Sequence, residues 1–428
     1  MLSGREKSGI LGAIMRVKEL PEDFVVQETL STALANRGRY AVYRVRKQAM
    51  TTLALQNQLA RVLGVANSAV QFPALKDKQA VTVQFGTVRA AGPRQVEGRR
   101  FFAERVGWLN RPLSPGDVAG NRFSVVLRDL DAEEVAHVMA RLEEMARWGL
   151  PNYFDEQRFG SRLTGGDFPG RLILRRDEEG ALRAHLAGQQ RGDRPQVRAF
   201  KAFAAAHWGD WEAIFARAPR PSNYRSVLTY LRDHPDGYRR ALNLVTPRVL
   251  SLYLAAYQSF LWNRLAGRYL RTWLEREGIP LTTWPISGEG LPIWRRLPED
   301  GLAFLRDLRL PLLHHRTHVD DPNVAGLVEA VLREEGFQLR DLKARVLKKA
   351  YLGRGTRALL LLPQDLAWGR AQADERFVGQ LKLTVRFFLP RGSYATLLLR
   401  ATESGRALSM EHTQSPVPKS DDQKQRLF

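Results

Sequence analysis

The run Leu75-Lys76-Asp77-Lys78-Gln79-Ala80-Val81-Thr82-Val83-Gln84 sets one carboxylate between two ammonium groups, where an alternating strand pattern begins. Nearby positive charge favours the ionised carboxylate. An ionised aspartate on a basic surface can serve as nucleophile or base toward a polyanionic substrate. Taken alone, the same run also reads as a turn aspartate between two solvated lysines. Other reaction chemistry is scarce. The chain has no cysteine, which excludes disulfides, thiolate zinc sites and cysteine-ligated iron–sulfur clusters. His314, His315 and His318 have a spacing that can bind zinc on a helix. Pro311 interrupts the segment before them, and no HExxH pattern accompanies them, so they read as a loop cluster. Gly165, Gly166 and Gly170 are followed by no GK[ST], and Gly353-Arg354-Gly355 lacks a third glycine. No metal and no organic cofactor is expected.

Such an aspartate needs a scaffold, and composition bounds it. The 428 residues suffice for two or three domains, and 44% of them are hydrophobic, a globular value. Lys and Arg outnumber Asp and Glu by 66 to 45, a net charge of +21, which points to an anionic partner. Arginine dominates, and its planar fork suits phosphate and stacks on bases. The apolar run Ile10 to Met15 is too short for a signal peptide. No apolar stretch is long enough to span a bilayer. A soluble cytoplasmic protein, with no membrane partner, is the expectation.

Alternation around Val17, Phe24 and Val26 predicts an opening strand, and further strands are expected at 40–45, 81–88 and 121–128. Helical spacing predicts a helix over 51–63, capped by Thr51 or Thr52 and ended by Gly64, and an amphipathic helix over 132–148. The basic segment 89–105, broken by Gly92, Pro93 and Gly98, reads as a loop into a new strand. From about 153 to 350 helical periodicity takes over, with helices predicted over 195–215, 224–231, 247–277, 301–308 and 324–335. Strand character returns at 358–362 and 380–389. The fold class is therefore α+β: a sheet domain formed by 1–152 and 353–410, a mostly helical insert over 153–352, and a polar, disordered tail over 411–428.

Four separated stretches carry a resemblance: KELPEDFVVQE at Lys18–Glu28, the LKDKQAVTVQ run, GNRF at Gly120–Phe123 followed by PNYFDEQRFG at Pro151–Gly160, and LPRGSYAT at Leu389–Thr396. Weaker similarity lies at Ala256–Asn263 and Thr356–Trp368. In this order, over nearly the whole chain, they resemble the TruD family of pseudouridine synthases. The resemblance implies a mixed-sheet catalytic domain with an inserted helical domain, and RNA bound in the cleft between them. It also implies isomerisation of uridine to pseudouridine, most simply at position 13 of tRNA, without metal or cofactor.

Residue by residue, Asp77 matches the catalytic aspartate. Phe24, Asn121 and Tyr394 match substrate-contacting positions, with Phe123 as a stacking neighbour. For the three aromatics the competing reading is ordinary core packing, and for Asn121 a turn residue after Gly120. Lys76 adjoins the catalytic position; Lys78 reads as a phosphate contact or solvated. Lys18 and Glu28 read equally as site residues or as surface charges on an edge strand. Tyr153, Phe154 and Phe159 read as packing, as do Tyr257, Phe260 and Leu261. Two basic segments form an RNA backbone-tracking surface: Arg89, Arg94, Arg99, Arg100 and Arg105; and Arg340, Lys343, Arg345, Lys348, Lys349, Arg354 and Arg357. The chain departs from the family at Pro73, where an Ala-Gly pair is common before the aspartate, and at Asp155, which replaces a glycine. The partner expected is RNA rather than DNA, and the chain is expected to act as a monomer. The competing readings are an inactive RNA-binding protein of the same fold, disfavoured by Asp77, and a metal-dependent nuclease, disfavoured by the lack of clustered carboxylates.

Overall fold

The computed structural model describes residues 16–76, 80–89, 92–220 and 222–411, with side chains up to 403. Asp77, Lys78 and the tail beyond Glu411 lie outside the described residues. The fold is α+β and the chain divides into two units, Met1–Arg147 with Leu362–Phe428, and Trp148–Leu361.

In the first unit, alternating apolar segments pair into an eleven-stranded mixed sheet among the described residues. Its main path runs Gln364–Trp368, Leu381–Pro390, Val118–Leu130, Phe24–Leu30, Val81–Val88, Tyr40–Lys47, Phe101–Leu109 and Gln95–Gly98. The Phe24–Leu30 strand is central, antiparallel to Val118–Leu130 on one side and parallel to Val81–Val88 on the other. Glu28 on it is 5% exposed. The edge-strand reading of Glu28 is thereby overturned: long-range pairing, which no local pattern encodes, buries this strand on both sides.

The helix Thr52–Val62 covers part of one face. Leu55 and Leu59 pack onto Tyr43, Val45, Phe101 and Ala103 in an apolar cluster. A fully buried Leu in such a cluster contributes about 1.5–3 kcal/mol. Thr51 is its cap, its side chain accepting the Ala54 N–H. The basic segment expected to be a loop into a new strand does lead into one, Phe101–Leu109, but Gln95–Gly98 within it is itself a strand, paired with that one as a hairpin. Its Arg94, Glu97, Arg99 and Arg100 are exposed while Val96, Phe101 and Ala103 supply the buried face. Among the described residues, the first unit also holds a helix, Ala395–Glu411, which the local pattern does not announce.

The second unit is built on the 30-residue helix Pro247–Arg276, whose Leu254, Tyr257, Leu261, Trp262, Leu265 and Leu270 are all buried. The helix expected over 195–215 is two, Pro195–Ala206 and Trp211–Arg217, divided at Gly209 (φ 101°) and recapped by Asp210. A hairpin pairs Thr282–Ile286 with Glu289–Ile293 through Ser287 and Gly288, both left-handed, as a two-residue turn requires. Among the described residues, no helix is long and apolar enough to cross a membrane.

Candidate active site

Strand pairing decides which side chains meet. Glu28 lies opposite Asn121, and Val26 opposite Phe123. Because side chains alternate along a strand, Phe24, Val26 and Glu28 share one face with Asn121 and Phe123. Asn121 in turn lies opposite Leu389, and Gly120 opposite Pro390. Two groups form on this face.

The first is polar. Lys76 Nζ donates to Asn121 Oδ1 at 2.7 Å. The same ammonium lies 2.9 Å from Glu28 Oε1, with side chains 11% and 0% exposed. Oε1 has no aligned hydrogen bond, so that contact is an ion pair held by charge. The other oxygen, Oε2, accepts the Phe85 N–H at 2.8 Å. At its backbone end, Lys76 donates its N–H to Thr52 Oγ1 at 2.9 Å. The buried Thr52 hydroxyl donates in turn to Gln84 Oε1 at 3.2 Å. Thr51 caps the helix, which leaves Thr52 free for this second task. Lys76, the immediate sequence neighbour of Asp77, is thus held at both ends. Sequence reasoning missed Thr52 and Gln84; the doubled threonine at a helix start was the available signal.

The second group is aromatic. Phe24 meets Phe123 edge to face at 6.1 Å, and Phe123 stacks on Phe387 at 5.1 Å. Lys18 Nζ sits 4.3 Å from the Phe24 ring centre, a cation–π distance. Lys18 has φ 66°, a conformation that non-glycine residues adopt rarely and at a cost. Phe24 is 5% exposed, whereas Phe123 and Asn121 are half-buried. Tyr394, half-buried, stands on the turn between Pro390 and the helix Ala395–Glu411, at the Asn121 end of the sheet.

Gly120 sets how closely these strands approach. A Cβ there would lie 2.2 Å from Leu389 O and 2.5 Å from Phe388 Cζ. Gly120→Ala is expected to cost about 1–3 kcal/mol through forced displacement of the Leu381–Pro390 strand. Urea unfolding checks this, with a lowered midpoint at unchanged slope as the result. Phe72 packs its ring where a Gly86 side chain would stand, 2.6 Å from that Cβ position.

Some residues expected on the basic surface serve structure instead, while those expected to pack do so. Arg357 is 9% exposed and donates to Asn152 O, Asn152 Oδ1 and Tyr153 O, so it leaves the basic surface. Arg340, Lys343, Arg345, Lys348, Lys349 and Arg354 are exposed. Arg105 is half-buried and donates to Gly92 O at 2.5 Å. Tyr153 and Phe154 are buried, and Asn263 brackets Phe154 through both its N–H and its carbonyl. Asp155 has φ −91° and ψ 168°, an extended conformation that needs no glycine. Among the described residues, no three His, Asp or Glu side chains converge as a metal site.

The profile of the family described as tRNA pseudouridine synthase D (TruD) matches residues 7–279 and 301–402. The chain belongs to the TruD family. A relative from Aquifex aeolicus named tRNA pseudouridine synthase D is 28% identical over 393 residues, covering 90% of this chain and 97% of its own. One from Methanococcus maripaludis is 27% identical over 391 residues, covering 90% and 98%. A TruD crystal structure from Methanosarcina mazei superposes with a TM-score of 0.66 at 23% identity, covering 92% of this chain and 94% of that one, which establishes the shared fold. Residues 280–300, which hold the Thr282–Ile293 hairpin, fall outside the match to the TruD profile.

Proposed function

We propose that this TruD-family chain is an RNA pseudouridine synthase, an isomerase that converts uridine to pseudouridine in tRNA with Asp77 as its catalytic carboxylate. The observation that carries the reading is the Lys76–Glu28–Asn121 cluster. It holds the sequence neighbour of Asp77 on the same sheet face as an aromatic pair. The relatives' names supply the substrate class.

The chemistry asks little beyond these groups. The N1–C1′ bond of uridine breaks, the uracil turns, and C5 joins C1′; the C5 proton is lost and N1 gains one. An ionised Asp77 either attacks C1′ or removes the C2′ proton to give a glycal. In both routes the detached uracil must be retained, and the target must first leave its stack. Base–aromatic stacking is worth about 1–3 kcal/mol per base. Phe24, Phe123 and Tyr394 are the candidate ring partners, Asn121 the polar reader of the base, and Lys18 a phosphate or site cation.

In this reading the catalytic body is 1–152 with 353–410, and 153–352 is the inserted TRUD-type domain. The exposed lysines and arginines from 340 to 354 follow the RNA backbone, giving affinity without sequence choice. The protein acts as a monomer in the cytoplasm, and its target is position 13 in the D arm of tRNA. Mapping pseudouridine in cellular RNA with and without the protein tests this. Loss of the modification at tRNA position 13 is the expected result. Loss only at another site would remove the position and keep the reaction. RNA bound by the protein with no pseudouridine lost anywhere would overturn the enzyme.

A further inference from the structure

Asn121 carries a carboxamide whose two ends differ chemically: its oxygen only accepts and its nitrogen only donates. Which end faces outward decides what it can read. The neighbour at 2.7 Å is the Lys76 ammonium, a group with three donors and no acceptor. Only the amide oxygen can face it, so the nitrogen must point elsewhere. Among the described residues, Asn121 Nδ2 makes no hydrogen bond, and the residue is half-buried beside Phe123. The lysine is itself constrained. Glu28, its side chain wholly buried, holds it through charge and is anchored by the Phe85 N–H. Thr52 holds its backbone.

We propose that Lys76 and Glu28 are positioning residues that lock the Asn121 amide so that its N–H groups face the substrate, which makes Asn121 a reader of a pyrimidine carbonyl oxygen. This rests on the pseudouridine-synthase reading for the identity of the ligand. The logic is one of exclusion by donor and acceptor. A locked donor pairs with a uracil carbonyl, and it meets the exocyclic amine of cytosine, another donor, as a mismatch. Without the lock the amide turns freely and presents either end.

Sulfur in place of a carbonyl oxygen is a poorer acceptor, so the test compares RNAs carrying uridine, 2-thiouridine or 4-thiouridine at the target. Single-turnover rates of pseudouridine formation give a ratio of oxygen to sulfur for each protein. For the wild type, one of the two thio positions is expected to slow the reaction by roughly tenfold, the scale of one hydrogen bond. In Asn121→Ala that ratio falls to near one. In the paired variant Glu28→Gln/Lys76→Met, which leaves no buried charge unpartnered, the ratio also falls to near one although Asn121 is intact. A merely structural role would lower all three rates together and leave the ratio unchanged. Thermal melting of the paired variant confirms that it is folded.

A wild-type ratio near one at both positions overturns the proposal. So does a paired variant that keeps the wild-type ratio. If the wild type forms no pseudouridine in any of these RNAs, the functional reading fails instead. The same oxygen-to-sulfur ratios, read from competitive binding of the three RNAs, then decide the amide lock on their own.

Discussion

Asp77→Asn is expected to abolish pseudouridine formation, by at least about a thousandfold in a single-turnover assay, while RNA affinity stays within about twofold. Asparagine keeps the volume of aspartate and loses its charge, so it can neither attack C1′ nor take the C2′ proton. Affinity persists because it comes mainly from phosphate contacts spread over basic surface. The structure changes the argument for Asp77 in one respect. Two flanking lysines suggest an aspartate kept ionised by both. In the fold, Lys76 is committed elsewhere: its ammonium bridges Glu28 and Asn121. Its positive charge is largely met by a buried carboxylate, and its role becomes geometric. Product formation by Asp77→Asn above a tenth of the wild-type rate would place the catalytic carboxylate elsewhere. Loss of RNA binding together with activity would make Asp77 a structural residue.

Local pattern exposed much of this fold, and distance in sequence hid the rest. The helix Thr52–Val62 shows in its apolar spacing, its threonine cap and Gly64, which has φ 65°. The long helix Pro247–Arg276 shows in the stripe through Tyr257 and Leu261. The short strand Gln95–Gly98 does not show, because glycines and arginines flank it and Val96 is its one buried residue. Nor does the break at Gly209, where the apolar period continues across a turn. Phe24, Asn121, Phe123 and Lys76 were each legible as motif residues. Their grouping was not, because it depends on register: Glu28 opposite Asn121 and Val26 opposite Phe123 are facts of strand pairing. Glu28 shows the cost of that. A lone glutamate in an alternating segment reads as solvated until the pairing buries it against Lys76.

The same blindness to distance hid the group with the largest expected effect on stability. Arg128, on the Val118–Leu130 strand, grips Asp23 through two hydrogen bonds of 3.0 and 2.9 Å. It also donates to Asp374 at 2.8 Å and to Glu375 at 2.9 Å. Arg128, Asp23 and Asp374 have side chains 4%, 2% and 0% exposed. One guanidinium thus joins the residue before Phe24, the strand carrying Asn121, and the segment leading to the Leu381–Pro390 strand. Arg128→Met is expected to destabilise the protein by about 3–5 kcal/mol, because it strands two buried carboxylates. That is a large part of a typical total of about 5–15 kcal/mol.

The pH dependence separates charge from packing. Burial alone would raise the Asp374 pKa. The N–H groups of Arg376 and Asp129 and the Arg128 guanidinium outweigh it and hold the carboxyl below its ordinary value. A depressed folded pKa means stabilisation that is present above the unfolded value of about 3.9 and is lost as pH falls through the folded one. Without Arg128 that support weakens and the buried Asp374 carboxyl protonates more readily. The deficit of Arg128→Met should therefore be greatest at neutral pH and shrink toward pH 4, read from urea midpoints at both. Adding Asp23→Asn and Asp374→Asn to Arg128→Met should recover part of the neutral-pH loss, since no buried charge is then left alone. A deficit equal at both pH values, unrelieved by the added substitutions, would show that Arg128 acts through packing. Phe24 follows Asp23 directly, so the intact network also fixes where the aromatic pair begins. The stability of this sheet and the placement of its site then depend on the same guanidinium.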